Sequence, residues 1–136
     1  HMIRFALALL LAILHADLHS AEPRSAKIVR VIDGDTVVAE ITLATTAEIG
    51  YDLTIKTSCR LHGINAPDTK PDGKERTKAA ADNLRKLVAD NCKDGACMAE
   101  LKGRDKYGRV LLILWAQGIS LNQRQIDGGF AVVYLP

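Results

Sequence analysis

A chain of 136 residues with 48% hydrophobic content, 18 Lys plus Arg and 16 Asp plus Glu has material for one modest core. It is too short for a TIM barrel, a kinase or a two-domain dinucleotide enzyme, so small α+β or all-β folds remain. A net charge of +2 is too small to mark a nucleic-acid binder by bulk electrostatics, and any anionic partner must be held by locally clustered Arg and Lys.

Three of the four histidines (His1, His15, His19) lie in the first 20 residues and leave only His62 for the rest. That excludes a His-rich zinc centre and points any catalysis toward carboxylates and cations. The aromatic residues are Phe5, Phe130, Trp115, Tyr51, Tyr107 and Tyr134, a thin supply for a surface that stacks many bases.

His1 ahead of Met2 reads as a remnant of expression, and Arg4 then precedes the apolar run 5–14. The run is shorter than the roughly 20 residues a spanning helix needs. Residues 1–21 are therefore expected to be a signal peptide cleaved near Ala21, with secretion or periplasmic export of a domain over 22–136. The alternatives are an uncleaved segment that anchors the chain to a membrane, or a helix packed on the domain.

From Ala26 the pattern alternates: Ile28, Val29, Val31 and Ile32, then 36–45, then 52–61. These are three predicted strands in sequential antiparallel pairing. Asp33-Gly34-Asp35 makes the first turn, where Gly34 is expected to take a positive φ. Residues 62–74 form a loop punctuated by Pro67, Pro71 and Gly73.

Asp72 to Glu75 offers an acidic cap, and Ala80, Leu84, Leu87 and Val88 share a helical face, so a helix is predicted over 75–91. Cys92 and Cys97 bracket a polar turn across which a disulfide is geometrically easy. The alternative is three reduced, buried thiols, Cys59 included. Strands follow over 97–102 and 109–117 around a turn at 104–108, the second expected to be buried on both faces. Gly118 ends it, and Ser120-Leu121-Asn122-Gln123 reads as a capping box opening a short helix to about Asp127. The order βββ, α, ββ, α describes an α+β domain, mainly β: a five-stranded OB-fold barrel with two helices.

Three polar clusters stand at strand ends. Asp33-Gly34-Asp35-Thr36 offers hard oxygen ligands, or is a solvated turn. At Arg60 to Asp68, alternation sets Arg60 opposite Cys59 and Leu61, with Asn65 and Asp68 beyond it on a loop stiffened by Pro67. A guanidinium there can bind a phosphate through two parallel hydrogen bonds, or make a strand-end ion pair. Arg104 to Arg109 is a cationic turn with Tyr107 as a stacking face. A water-activating carboxylate, a possible cation site and two separated arginines are the parts of phosphodiester hydrolysis.

The stretches VIDGDTV (31–37), RLHGINAPDT (60–69) and DKYGRVL (105–111), in this order, resemble the staphylococcal nuclease (thermonuclease) family, and ISLNQRQIDGGFAVVY (119–134) is similar to its following helix and segment. The resemblance implies an OB-fold nuclease acting with Ca²⁺ on DNA and RNA, with low sequence specificity, and leaving 3′-phosphate ends. By position, it implies that Arg60 and Arg109 bind the scissile phosphate and that Asp35, Asn65 and the carbonyl of Ala66 hold Ca²⁺. Asp68 would position or activate water, Lys106 and Tyr107 would hold a neighbouring phosphate, and Tyr134 would face the nucleotide.

In two places this sequence departs from the family pattern. Asn65 stands where the family has Asp, removing one charge from the cation site. Asp68 stands where it has Glu, shortening the reach by a methylene. The rival expectation is thus a catalytically weak OB module that binds nucleic acid. No stable protein partner is implied, and a monomer is expected.

Overall fold

The computed structural model describes residues 22–67 and 73–136. The expected leader and its cleavage site, and Asp68, lie outside the described residues. Strands β1 (Arg24–Asp33), β2 (Thr36–Thr46) and β3 (Tyr51–Leu61) form the expected antiparallel meander. Their alternation turns Ala26, Ile28, Val37, Ala39, Ile41, Cys59 and Leu61 inward, all of them buried.

After the short strand β4 (Ile64–Asn65), helix α1 spans Lys74–Asn91. Strands β5 (Ala96–Arg104), β6 (Val110–Ala116) and β7 (Ile119–Ser120), helix α2 (Leu121–Asp127) and strand β8 (Val132–Val133) follow. β5 pairs with both β1 and β6. Parallel pairing of Cys59, Arg60 and Leu61 with Val110, Leu111 and Leu112 then closes the ring β1-β2-β3-β6-β5. This is the five-stranded barrel expected from the sequence, with its core completed by Leu112, Leu114 and Leu121.

Helix α1 buries Ala80, Ala81, Leu84 and Val88. Its N-cap is Gly73, which has no side chain to cap with; Asp72, the acidic residue of the expected cap, lies outside the described residues. At the other end a Cys92–Cys97 disulfide, with Cα atoms 5.1 Å apart, ties the helix to β5 and resolves the cysteine alternatives. Cys59 is a free thiol inside the barrel, and burial pushes it up to about 11, which leaves it unreactive near neutral pH.

The structure corrects several details. β6 alternates, with Leu112, Leu114 and Ala116 buried and the residues between them half-covered, rather than burying both faces. β6 ends before Gln117 (φ 52°) and Gly118 (φ 77°), as expected of Gly118, but these two residues turn the chain back through a tight hairpin into a further short strand, β7. At α2, Ser120 accepts from the Gln123 N–H at 3.1 Å, while the Gln123 side chain bonds Asp127, so only half of the capping box forms.

Gly34 does not take a positive φ. What requires glycine is proximity: a Cβ there would stand 2.6 Å from Ala80 Cβ and 2.8 Å from Ala66 Cβ. Gly34 lets the β1–β2 turn lie directly on α1 and on the β4 loop. Gly34→Ala is therefore expected to cost about 1–3 kcal/mol through overpacking. Chemical denaturation would measure it, and an unchanged midpoint would refute the close-approach account.

Candidate active site at one end of the barrel

Arg60 is the penultimate residue of β3, and its neighbours Cys59 and Leu61 lie in the core, so its side chain projects out of the barrel beneath the β4 loop. Its Nη1 pairs with Asp35 Oδ2 at 2.9 Å. Its Nη2 donates to the Ile64 carbonyl at 3.2 Å and to Asn65 Oδ1 at 3.1 Å. The Tyr134 ring lies 5.9 Å from the guanidinium carbon. One cation thus collects three of the sequence candidates, Asp35, Asn65 and Tyr134, around it.

Asp35 is almost enclosed. Besides Arg60 it accepts the Ala66 N–H at 2.8 Å and the Thr36 hydroxyl at 2.9 Å. Burial pushes its carboxyl up, but bonds to Asp33, Ala66 and Arg60 outweigh that and hold it below the ordinary aspartate value. Asp33, whose Oδ1 accepts the Asp35 N–H at 3.1 Å, moves the opposite way, raised by burial and then by the neighbouring Asp35. The turn therefore holds two carboxyls whose shifts run in opposite directions, Asp35 lowered by its partners and Asp33 raised by burial and by Asp35.

Arg109 stands at the mouth of the β5–β6 turn. Its Nε pairs with Asp105 Oδ2 at 2.7 Å, and Asp105 Oδ1 accepts the backbone N–H groups of Tyr107 and Arg109. The Tyr107 ring lies 5.4 Å from the Arg109 guanidinium and 5.2 Å from the Lys106 ammonium. Among the described residues only Nε of that guanidinium is engaged, so its two terminal nitrogens are available to an anion.

The ring closure joins the two clusters. Arg60 pairs with Leu111 in the parallel β3–β6 ladder, and Arg109 lies two residues before Leu111, so both arginines belong to the same face at the same end of the barrel. Two guanidinium groups, each oriented by its own carboxylate and each beside a tyrosine, can bind a phosphate from two sides.

Two supports of this site were not singled out as such in the sequence. Gln125 is fully buried, and its Nε2 donates to the carbonyls of Gly34 (2.9 Å) and Ala80 (3.0 Å), holding the Asp35 turn against α1. Asn122 accepts the Leu114 N–H at 3.0 Å and donates to the His62 carbonyl at 2.9 Å, tying β6 to the start of the β4 loop. The available signal was helical spacing: Gln125 shares a face with Leu121, four residues earlier, which a seven-residue helix must bury.

As a cation site, the cluster supplies the Asp35 carboxylate, the Asn65 amide oxygen and the Ala66 carbonyl. All are hard oxygens, which fits Ca²⁺ in donor type. Among the described residues no group of three or more His, Cys, Asp and Glu is placed to hold a metal, and Arg60 already balances the charge of Asp35. The set is therefore weak in charge. Asp68 lies outside the described residues.

A family model described as staphylococcal nuclease homologue matches residues 58–135, a span that contains Arg60 and Arg109 but not Asp35. Comparison with curated proteins finds no match.

Proposed function

We propose, for a chain that belongs to the staphylococcal nuclease family, that it is an exported, Ca²⁺-dependent nuclease cleaving DNA and RNA with low sequence specificity and leaving 3′-phosphate ends. The observation that carries this reading is the β3–β6 register, which puts Arg60 and Arg109 on one face with Asp35 beside them.

The scissile phosphate would bind between the two guanidinium groups, which gain most when charge builds on the equatorial oxygens of a five-coordinate phosphorus. A water oxygen adds to phosphorus, Asp68 takes its proton, the P–O5′ bond breaks and the departing oxygen is protonated to a 5′-hydroxyl. Asp35, Asn65 and the Ala66 carbonyl would hold Ca²⁺, which supplies Lewis-acid polarisation of the phosphate. Lys106 and Tyr107 would hold the neighbouring phosphate, and Tyr134, stacked near Arg60, would face the nucleotide. No base-reading set is needed for any of this, which fits low specificity. The Cys92–Cys97 disulfide supports an oxidising compartment, hence export.

The deciding experiment compares cleavage of single-stranded and duplex DNA and of RNA in Ca²⁺, Mg²⁺ and EDTA. Metal-dependent products ending in 3′-phosphate are expected. Retained binding in EDTA with no cleavage in Ca²⁺ would favour the second reading, a nucleic-acid-binding module, for which the uncharged Asn65 is the specific observation. Asn65→Asp adds the missing negative charge beside Asp35 and is expected to tighten Ca²⁺ binding about tenfold, the scale of a single local charge. Calorimetric titration showing no gain would place Asn65 outside the cation site.

A further inference from the structure

We propose that the chain forms a two-fold symmetric dimer in which the free edge of β3 pairs antiparallel with the β3 edge of a second copy, in the register centred on Thr54. Pairing of β1 with β2 ends at Ala26 opposite Ile41, and β3 meets β6 only through Cys59, Arg60 and Leu61. Beyond those points β2 and β3 run on as a two-stranded ribbon. Among the described residues, 51–58 have no strand partner on the side away from β2. An isolated ribbon is marginal in water, and an unpaired edge is a template for another strand.

The ribbon is also apolar on one face. Tyr51, Leu53 and Ile55 continue, at a spacing of two, the face that Cys59 and Leu61 bury in the barrel, yet they are 69%, 58% and 38% exposed. Leu43 and Ile49 add to the same exposed end of the molecule. This is core-type patterning with nothing over it among the described residues.

The sequence of this edge is complementary to itself. In an antiparallel pair centred on Thr54, Asp52 faces Lys56 and Lys56 faces Asp52 on one side of the sheet. On the other side, Leu53 faces Ile55 and Tyr51 faces Thr57, again twice over. Centring the pair on Leu53 or on Ile55 loses both charge matches. Neither Asp52 nor Lys56 is in an ion pair among the described residues. Glu40, opposite Lys56 on β2, adds a second negative group on its other flank. Opposite charges placed directly across a ladder stabilise it and like charges oppose it. Because the interface is isologous, every match counts twice and the assembly closes at two copies. A monomer was expected because no helix face was left over; the unpartnered surface is a strand edge instead. Thr54 lies six residues from Arg60, about 20 Å along the strand, so pairing leaves the catalytic end open.

Sedimentation velocity on the full chain, from micromolar to submillimolar concentration, tests this. The unchanged chain is expected to populate a dimer. Asp52→Lys and Lys56→Asp, each placing like charges opposite one another twice, are expected to raise the dissociation constant by about tenfold or more. The double exchange D52K/K56D is expected to restore it. A chain that stays monomeric throughout, single variants that assemble like the parent, or a double variant that fails to recover would each overturn the proposal. Cleavage per chain is expected to be equal in all four proteins, and the sedimentation result stands whatever the chain cleaves.

Discussion

Arg109→Ala is expected to lower the rate of phosphodiester cleavage by about 10²–10³-fold, the usual cost of removing one preorganised donor aimed at transition-state charge, while the thermal midpoint shifts little. The two halves of that expectation come from different observations. Arg109 is oriented by Asp105, which also accepts two backbone N–H groups and is held below the ordinary aspartate value. Burial works against this, but the bonds from Arg109 and Tyr107 prevail. The ion pair is itself part-exposed, and exposed pairs contribute little to stability. Asp105 can also keep the turn closed through the backbone N–H groups alone.

Arg60→Ala is different. Arg60 holds Asp35, the Ile64 carbonyl and Asn65 together, so its loss is expected to reduce both activity and stability. Single-turnover cleavage beside a melting curve separates the two. If Arg109→Ala cleaves at the parent rate, the phosphate is not bound between the two arginines, and the proposed mechanism fails at its main step.

How much of this was legible in the sequence follows from the range of each interaction. The meander, α1, β5 and β6 announce themselves through apolar periodicity within one element, and they were read to within a few residues. The position of Arg60 outside the core followed from the same alternation. β4, β7 and β8 are two residues each and carry no period, and β4 with β8 exists only because Ile64 finds Val133 about seventy residues later. The role of Gly34 was misread because sequence shows a glycine in a turn but not Ala80 and Ala66 pressed against it. Gln125 carries no local signal of its role because both carbonyls it satisfies belong to distant elements. The site residues could be named one by one, but that Arg60 and Arg109 share a face depends on the parallel closure of β3 on β6, which no local pattern encodes.

Asp35→Asn is expected to be the most destabilising single change at the site, by about 3 kcal/mol, the lower end of the cost of breaking a buried ion pair. The side chains of Arg60 and Asp35 are only 14% and 10% exposed, so removing the carboxylate leaves a guanidinium with little water to replace it. Its bonds to the Ile64 carbonyl and Asn65 soften the loss, which is why the lower figure applies. The pH dependence identifies the cause. The folded state holds Asp35 below the unfolded value near 3.8, so the folded chain binds fewer protons there. The stability it contributes is full above that value and is lost as pH falls toward the folded one. Asp33 is raised, so its contribution has the opposite sign: complete below 3.8 and lost as pH rises through its folded value. Stability of the parent chain should therefore climb with pH below about 3.8 and then give part of the gain back above it. Asp35→Asn should flatten the climb, and Asp33→Asn should remove the decline. Urea unfolding across that range distinguishes them, and a parent-like climb in Asp35→Asn would show that the Arg60 pair is not what acid breaks.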